Sequence, residues 1–299
     1  MRILVTGGSG FIGRQVVNRL RERGDDVSVL DLRPHPDPDV RCIVGDVCDA
    51  GVVAAALGDG TASVVHLAAL TSVLESVKNP DGVFRTNVIG TETVLEACRT
   101  LEVPSFVLSS TNAVVGDIGV GVINEKTDLH PLTPYGATKA ASEMIMSAFA
   151  ASYGVHAVAL RFTNVYGTGM QTKDSVVARM MKVALNGGSV PVYGSGAQAR
   201  DYLFVADAVS AIELAIRMGR ADVLTIGAGH SVSMNELHAL ACEATGVDIP
   251  IEHVPPKRGE MPAVIVDTTK ARACGFDRKY NLADGLAATW KDFQHSSPR

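Results

Sequence analysis

The feature that most restricts the fold is a glycine-rich corner near the start of the chain, where residues 3–17 read ILVTGGSGFIGRQVV. The apolar residues before the corner are typical of a buried strand, and those after it have helical spacing. Gly7 lets the chain reverse, Gly10 lets the backbone approach a pyrophosphate, and Gly13 lets the helix pack on the sheet. The corner predicts a dinucleotide-binding strand–turn–helix unit, although a similar corner without a ligand is the alternative.

Short apolar runs rich in β-branched residues alternate with stretches of helical spacing through the first half of the chain. Such alternation is typical of a parallel sheet covered by helices on both faces. We therefore predict an α/β protein with a doubly wound parallel sheet of the Rossmann type. The predicted strands are 2–5, 27–30, 41–44, 63–67, 105–108 and 156–161. The predicted helices include 11–23, 83–100 and 138–152.

The alternation weakens beyond about residue 165, which suggests a change of domain. We predict a dinucleotide-binding domain over residues 1–165, which also receives parts of 201–230. A smaller interleaved α/β lobe over 166–299 is predicted to bind the substrate. Its elements are predicted at 174–186, 204–217, 233–244 and 281–293 for helices, and at 191–193, 223–226 and 250–253 for strands.

Charge and cysteine content narrow the classes of protein. The net charge of −5 and the pI of about 5.9 argue against nucleic acid or an anionic membrane as a partner. The five cysteines include no C-x-x-C pair, so we expect no disulfide framework, no metal site and a reducing, cytoplasmic location. The N-terminus reads MRILVTGG, which is unlike a secretion signal, and no apolar run is long enough to cross a bilayer.

Two acidic residues follow the next predicted strands. Asp31 ends the second strand, where a carboxylate binds both hydroxyls of the adenosine ribose and repels a 2′-phosphate. This favours NAD over NADP, although Arg33 nearby softens the preference. Asp46 follows the third strand and is placed either to bind the adenine amino group or to cap the next helix.

Tyr135 and Lys139 are four residues apart at the start of a predicted helix, so they share one face. A free tyrosine has a pKa near 10, too high for a base at neutral pH. The lysine ammonium and the positive nicotinamide ring both favour the phenolate, and the lysine can hold the nicotinamide ribose. An amphipathic helix with an incidental tyrosine and lysine is the alternative.

Seven stretches, in order along the whole chain, resemble one family. They are VTGGSGFIG (5–13), HLAA (66–69), TNVIGT (86–91), YGATK (135–139), RFTNVYG (161–167), VYGSGAQARDYLFVADA (192–208) and RGEMPAVIVDTTKA (258–271). With its G-x-x-G-x-x-G spacing, the chain resembles the extended short-chain dehydrogenase/reductases, the NAD-dependent nucleotide-sugar epimerase/dehydratase family. The resemblance implies NAD as cofactor, bound by Gly7, Gly10, Phe11, Ile12, Gly13, Asp31, Leu32, Asp46, Val47, Leu67, Ala68, Ala69, Asn87, Ser109, Tyr135, Lys139, Phe162 and Val165.

The resemblance also assigns the family's serine or threonine partner of Tyr135. Thr111 matches that position, with Ser110 as the alternative. The hydroxyl would bond the substrate oxygen that is oxidised and relay its proton to Tyr135, so that the catalytic residues are Thr111, Tyr135 and Lys139. The alternative is that hydroxyls here satisfy only backbone groups of the turn.

Phosphate-binding residues of the substrate are also implied by the resemblance. Asn164 matches the asparagine that contacts the sugar-nucleotide diphosphate, and Arg200 the arginine that clamps its phosphates, a task that suits a planar guanidinium. Asp201 is expected either to orient Arg200 or to form a surface salt bridge. A second phosphate contact falls on Lys257 or Arg258, and the sequence does not decide between them.

Three further residues concern the rest of the substrate. Val192 and Tyr193 are expected near the nucleotide base, although an aromatic between valine and glycine is as often plain packing. Val264 lies where a bulky tyrosine is associated with the exclusion of N-acetyl groups. Valine there leaves N-acetylated and acidic sugars possible.

The residues after Thr111 narrow the reaction. In the family, 4,6-dehydratases have Asp-Glu there as acid and base, and uronate decarboxylases usually have glutamate at the second position, whereas this chain has Asn112 and Ala113. We therefore expect a UDP-sugar 4-epimerase, with glucose or galactose, N-acetylhexosamine or glucuronate as candidate sugars. An NAD(P)H-dependent ketosugar reductase and a non-enzymatic NAD-binding protein of the same fold are the alternatives. The resemblance further implies a homodimer through helices 83–100 and 138–152.

Overall fold

The structure is a computed structural model that describes residues 1–256 and 261–296. The chain divides into two compact units, each built from three separate segments. Unit 1 contains Met1–Asp117, Glu125–Arg161 and Val209–Leu224. Unit 2 contains Ile118–Asn124, Phe162–Ala208 and Thr225–Arg299. The assignment of cofactor to residues 1–165 and of substrate to 166–299 stays a prediction.

The described residues form fourteen strands and eleven helices, with two short turns of other helical types. The strands are β1 (Arg2–Thr6), β2 (Asp26–Asp31), β3 (Arg41–Val44), β4 (Ser63–His66), β5 (Ser105–Thr111), β6 (Val122–Ile123), β7 (His156–Phe162), β8 (Asn164–Tyr166), β9 (Val190–Tyr193), β10 (Ala199–Phe204), β11 (Asp222–Ile226), β12 (Ser231–Ser233), β13 (Ile251–Val254) and β14 (Ile265–Val266). The helices are α1 (Phe11–Glu22), α2 (Ala50–Leu57), α3 (Val73–Lys78), α4 (Pro80–Phe84), α5 (Gly90–Thr100), α6 (Pro134–Tyr153), α7 (Val176–Asn186), α8 (Val205–Arg217), α9 (Met234–Thr245), α10 (Thr269–Ala273) and α11 (Leu282–Ser296). A π-helical turn (Arg85–Ile89) joins α4 to α5, and a 3₁₀ turn (Asn112–Val114) follows β5.

The main sheet has seven strands in the order β11-β7-β5-β4-β1-β2-β3, which confirms the predicted doubly wound parallel sheet. The chain moves outward from β1 to β2 and β3, then returns to place β4 on the other side of β1. In such sheets, ligands bind where the order reverses, outside the carboxyl ends of the strands. Thr6 and His66 end the two strands that flank this point, paired side by side.

The core of unit 1 follows from the continuous apolar strands. Residues 3–5 of β1 and 106–108 of β5 are almost fully buried, because helices cover both faces of a parallel sheet. Val94 and Leu95 of α5 and Met146 of α6 pack into the same cluster. These strands were predictable because none of their positions has to face water.

The helices that carry the candidate site differ from their predicted limits. Helix α6 begins at Pro134 and not at residue 138, since the Thr133 side chain caps it and proline suits its first turn. This start places Tyr135 in the first turn. The helix predicted over 83–100 begins at Pro80 and is interrupted by the π-helical turn, an insertion with no signal in the apolar spacing.

Unit 2 contains three small sheets. Strand β10 lies between β8, which is parallel to it, and β12, which is antiparallel. The other two sheets pair β13 with β9 and β14 with β6. Strand β10 was not predicted, because the charged pair Arg200–Asp201 interrupts its apolar pattern.

Two searches of the described residues bear on the predicted partners. None of the helices in the described ranges has the length and apolarity that crossing a membrane requires. Over the same ranges, no three histidine, cysteine, aspartate or glutamate residues are grouped in a way that would hold a metal ion.

Candidate active site

Two glycines of the N-terminal corner are required by the protein itself. Gly7 has a φ of +70°, and a Cβ there would lie 2.7 Å from the backbone nitrogen of Ala68. A Cβ on Gly13 would lie 2.1 Å from the Gly7 carbonyl oxygen. Both positions therefore need glycine for the turn and for the packing of α1, whether or not a ligand binds.

Gly10 differs from these two. Its φ is −79°, which any residue adopts, and the nearest atom to a Cβ there is the Gly7 oxygen at 3.2 Å. It stands at the N-cap of α1, where among the described residues no side chain caps the helix and no acidic residue lies in the first turn. The N–H groups that begin α1, at Phe11 and Ile12, therefore suit a pyrophosphate, and the absent Cβ at Gly10 keeps the approach open.

Asp31 is fixed at the end of β2 by the same corner. One carboxylate oxygen accepts from the Ser9 backbone N–H at 3.1 Å, and the other accepts from Arg33 N–H at 3.0 Å. A carboxylate offers about four acceptor positions, so two remain for ribose hydroxyls. Leu32, beside it, is 67% exposed and free to lie against a ligand.

Asp46 is not the helix cap that one interpretation of the sequence proposed. Asp49 caps α2, accepting from the N–H groups of Gly51 and Val52. Asp46 is exposed and accepts from Cys48 N–H at 2.9 Å, within its own turn. Its free acceptor positions leave the adenine role as a prediction, and the next residue, Val47, is buried.

The loop after β4 is held by the side chain of Asn87, which is also bonded to α6. Asn87, buried in the π-helical turn, accepts from Leu70 N–H at 2.8 Å and donates to Leu70 O at 3.1 Å. It also donates to the Thr138 hydroxyl of α6 at 3.0 Å. Asn87 therefore orders the loop that contains Leu67, Ala68 and Ala69 and fastens it to the helix of Tyr135.

His66 ends β4 and belongs to a buried polar network that was not predicted from the sequence. One ring nitrogen lies 2.8 Å from the Thr6 hydroxyl and the other 3.1 Å from the Thr91 hydroxyl. Burial, aided by the charge of Lys139, lowers its pKa to about 3. His66 is therefore neutral at physiological pH and joins β1 to α5 without exchanging protons.

The predicted catalytic residues come together where α6 lies against the carboxyl end of β5. The Tyr135 phenol hydrogen-bonds with the Thr111 side chain. The Lys139 ammonium donates to the Ser109 carbonyl at 2.8 Å. All four residues belong to unit 1, and the structure thus groups the predicted Thr111, Tyr135, Lys139 and Ser109.

Ser110 faces a different partner. Its hydroxyl donates to the Glu143 carboxylate, which also forms a buried ion pair with Arg161 of β7. Of the two hydroxyls that the sequence left open, that of Thr111 bonds with Tyr135, whereas that of Ser110 bonds with Glu143. Glu143 was missed, although its position four residues after Lys139 and the arginine in a buried strand are signals that the sequence carries.

The pKa values of the two titratable residues are set first by burial. Burial raises the pKa of Tyr135 to about 12, and the bond with Thr111 only partly opposes the rise. Burial lowers the pKa of Lys139 to about 8, against the attraction of Glu143, which raises it. The predicted lowering of the tyrosine pKa is therefore not produced by the protein's own side chains. The other contribution, the positive nicotinamide ring, belongs to the bound cofactor.

In unit 2, Asn164 and Arg200 lie on neighbouring strands. Asn164 is exposed and donates to the Asp201 carbonyl at 3.0 Å. Arg200 is half-buried, with one guanidinium nitrogen 2.8 Å from the Ala199 carbonyl. Both are accessible, as contact with a diphosphate requires.

Asp201 corrects the sequence-based expectation. Its side chain is fully buried and accepts from the Thr163 hydroxyl at 2.7 Å, from Ala228 N–H at 2.7 Å and from His230 N–H at 3.2 Å. It is not a surface salt bridge, because strand alternation turns it to the face opposite Arg200. Asp201 instead holds the loop after β11.

The remaining predicted residues of unit 2 are mostly packed. Val192 and Val264 are fully buried, and the expectation that Val264 admits N-acetylated or acidic sugars stays a prediction. Tyr193 is half-buried at the end of β9. Lys257 and Arg258 lie outside the described residues. Among the predicted cofactor contacts, Phe162 is buried and Val165 half-buried.

Comparison with known proteins agrees with this arrangement. The family model described as "NAD dependent epimerase/dehydratase family" matches residues 3–227. A dTDP-glucose 4,6-dehydratase of Streptomyces griseus is 37% identical over 96% of this chain and 92% of its own length. A UDP-glucose 4-epimerase of Lactobacillus helveticus is 33% identical over 97% of this chain and 96% of its own.

Solved structures give the same picture. The UDP-glucose 4-epimerase of Thermotoga maritima, crystallised with UDP-glucose, aligns with a TM-score of 0.95 at 34% identity, covering 99% of both chains. The UDP-glucose 4-epimerase of Thermus thermophilus, in complex with NAD, aligns with a TM-score of 0.93 at 32% identity. It covers 99% of this chain and 100% of its own.

Proposed function

Because the chain belongs to the NAD-dependent epimerase/dehydratase family, we propose that it is a nucleotide-sugar 4-epimerase that acts on a UDP-sugar. The observation that carries the choice of reaction is the pair Asn112 and Ala113, which follows Thr111 in the 3₁₀ turn. Dehydration needs an acid and a base beside the sugar, and neither side chain transfers protons at neutral pH. Epimerisation needs only Thr111, Tyr135, Lys139 and the cofactor.

NAD is the cofactor of this family, and when bound it takes up a hydride from the sugar carbon and gives it back. The uncapped N-terminus of α1 and the open approach at Gly10 suit its pyrophosphate. The carboxylate of Asp31 suits its adenosine ribose, which supports NAD over NADP. Lys139, with its ammonium at the edge of β5, is placed to donate to the second ribose.

The chain's own residues move the proton. The hydroxyl of Thr111 bonds the sugar hydroxyl, and Tyr135 takes its proton as the carbon is oxidised. Tyr135 then returns the proton after the ketone has turned over and been reduced on its other face. A tyrosine with a pKa of about 12 is almost entirely protonated at neutral pH, so the step depends on positive charge near the phenol that stabilises the phenolate.

The proposed substrate contacts lie in unit 2. Arg200 and Asn164 are proposed to bind the diphosphate, which suits a guanidinium and an amide that are both accessible. Tyr193, half-buried after Val192, is proposed to contact the base. The sugar itself is left open among glucose or galactose, N-acetylhexosamine and glucuronate.

We further propose a homodimer, formed through α6 and the helices before it. Large apolar side chains are exposed there: Met144 is 67% exposed, Phe84 51% and Ile89 42%. These side chains lie on α6, on α4 and on the π-helical turn, which pack against one another, and exposed apolar patches are typical of association surfaces. We also propose a reducing compartment, the cytoplasm, as its location, because none of the five cysteines, all of which lie in the described ranges, forms a disulfide.

The test is to incubate the purified protein, loaded with NAD, separately with UDP-galactose, UDP-N-acetylglucosamine, UDP-glucuronate and dTDP-glucose, and to follow the sugar protons by NMR. A new anomeric signal of the C4 epimer from one UDP-sugar supports the proposal. Formation of a 4-keto-6-deoxy sugar would show a dehydratase and overturn it. Stoichiometric loss of NAD(P)H absorbance with a ketosugar would show a reductase. Tyr135→Phe is the control for catalysis by a contaminant.

A further inference from the structure

Helix α6 meets β5 through a regular set of contacts. Tyr135, Lys139 and Glu143 are spaced four residues apart along α6, so they share one face. They contact three consecutive residues of β5: Tyr135 bonds Thr111, Lys139 bonds Ser109 and Glu143 bonds Ser110. The proposed mechanism uses the first two contacts, and it leaves the third without a role.

Glu143 is tightly held and fully surrounded. The Nε of Arg161 lies 3.1 Å from each of its oxygens, and Nη2 lies 2.8 Å from Oε2. The side chains of Arg161 and Glu143 are 5% and 4% exposed. Since arginine does not lose its proton in proteins, this bidentate contact gives the Glu143 carboxylate a permanent counter-ion.

Stability alone does not explain this ion pair. Desolvation of two charges offsets most of their attraction, and apolar residues of similar size often serve a fold as well. The pair is also incompletely bonded, because Nη1 of Arg161 is buried without a hydrogen-bond partner in the described structure. Because burial of the Glu143 carboxylate brings the fold so little stability, we expect this carboxylate to act on a neighbouring charged group.

The neighbouring charge is Lys139. Among the described residues, its ammonium hydrogen-bonds only with a neutral carbonyl, which a neutral amine also satisfies, so that bond does not select the ammonium form. The groups around it are His66, neutral at its pKa of about 3, and Tyr135, neutral at its pKa of about 12. Glu143, one turn along the helix, is the anion that raises the pKa of Lys139 against burial.

We propose that Glu143 is a positioning residue, whose carboxylate, fixed by Arg161 and Ser110, keeps the Lys139 ammonium charged at the edge of β5. Without this anion, the buried lysine would lose its proton near neutral pH, and with it a positive charge that the proposed mechanism requires near the phenol of Tyr135. The inference rests on the proposed roles of Tyr135 and Lys139.

The direct test is the titration of Lys139 in the absence of substrate, by NMR of protein labelled with ¹³C at lysine Cε. Lys139→Arg assigns the signal. In Glu143→Gln we expect the midpoint to fall by about 1 to 2 pH units, the usual size of an opposite-charge effect. Glu143→Asp keeps the charge and should titrate near the wild-type midpoint. An unchanged midpoint in Glu143→Gln overturns the inference.

A second variant covers the case in which Glu143→Gln fails to fold around an unpaired arginine. Glu143→Gln with Arg161→Gln removes both charges together and should still lower the midpoint. Ser110→Ala keeps both charges and should not. A double variant that titrates like the wild type also overturns the inference.

Kinetics separate this role from a structural one. The rate of Glu143→Gln should fall at neutral pH and recover relative to wild type as the pH is lowered, since the lysine regains its proton. Equal loss at every pH would mean a structural defect only and would count against the inference. Because the titration needs no substrate, failure of the proposed epimerase activity would leave it readable.

Discussion

Buried ionisable groups serve different ends in the two units. In unit 1, Lys139 and Glu143 bond to residues at the end of β5, beside the hydroxyls of Ser110 and Thr111. In unit 2, Asp201 accepts from backbone N–H groups of the loop after β11, and Asp207 accepts from Lys279 N–H at 2.9 Å and Tyr280 N–H at 3.2 Å. Burial raises the pKa of both aspartates.

The difference lies in what surrounds the buried groups. Lys139 and Glu143 lie on the same helix face as Tyr135, whose proton the proposed reaction moves. Asp201 and Asp207 instead accept mainly from backbone N–H groups, which do not titrate. The cluster of unit 1 is therefore expected to act on protonation. The carboxylates of unit 2 fix loops. Substitutions should accordingly affect activity in the first region and stability in the second.

The largest expected effect is on activity. Tyr135→Phe removes the hydroxyl that exchanges a proton, and acid–base catalysis of this kind contributes about 10²- to 10⁴-fold to rate. We expect kcat for sugar conversion to fall by that factor while the thermal midpoint stays within about 2 °C of the wild type, as for a change of well under 1 kcal/mol. A large drop in the thermal midpoint would mean that Tyr135 also stabilises the fold, against the difference that we expect between the two units.

The next effect is on stability. In Asp201→Asn, either orientation of the amide turns its NH₂ toward a backbone or hydroxyl donor, so a hydrogen bond is lost and a donor is left buried. We expect a loss of about 2 to 4 kcal/mol in urea unfolding, with kcat retained in the molecules that stay folded. Normal stability with lost turnover would place Asp201 in the catalytic machinery and break the comparison.

Two glycines sharpen the comparison within unit 1. Gly13→Ala places a Cβ 2.1 Å from the Gly7 oxygen, and such overpacking costs about 1 to 3 kcal/mol of stability. Gly10→Ala meets its nearest atom at 3.2 Å and should fold normally but bind NAD about tenfold more weakly, a loss of about 1.4 kcal/mol. Calorimetry of binding and thermal unfolding of both variants measure the two effects. If Gly10→Ala bound NAD as tightly as the wild type, the proposal that the cofactor binds at this corner would be wrong.

The smallest effect concerns the cost of the buried lysine. Burial lowers the folded-state pKa of Lys139 to about 8, below the ordinary lysine value of 10.5, so the unfolded chain binds its proton more tightly. The free energy of unfolding should therefore rise as the pH increases from about 8 to 10.5. Below pH 8, burial of the charged lysine should lower it by the full amount. Lys139→Met should abolish catalysis yet raise stability near neutral pH by about 1 to 3 kcal/mol, a trade common at active sites.

The difference in unfolding free energy between wild type and Lys139→Met, measured across that pH range, isolates this group from other titrations. We expect the difference to shrink toward zero as the pH reaches 10.5. A difference that is constant with pH would mean that Lys139 titrates alike in the folded and unfolded chain.

The sequence predicted the strands of the main sheet well, because β1, β2 and β5 are continuous apolar runs that only a covered parallel sheet accommodates. It also predicted Tyr135 and Lys139, since local helical spacing places them together. Contacts between distant residues were beyond it. The bond from Ser110 to Glu143, the pair with Arg161 and the burial of Asp201 depend on which strands become neighbours.

Local errors had local causes. The start of α6 was set too late, because Thr133 and Pro134 form a helix cap that apolar spacing does not reveal. One of the two roles considered for Asp46 was the N-cap of α2, but Asp49 provides this cap. In both cases the polar residue at the boundary, and not the apolar pattern, decides where the helix begins.

The strand order of the main sheet also bears on how the protein is made. Of the seven strands of this sheet, β11 is the last to leave the ribosome. It lies at one edge, next to β7, and some sixty residues separate the two in the chain. At typical rates of synthesis, β7 waits about 3 to 12 seconds for its neighbour. Throughout that interval β7, whose residues 157–160 are apolar, presents unpaired N–H and C=O groups at an open edge, which is a template for aggregation. We expect the nascent chain to be most dependent on chaperones between these two points.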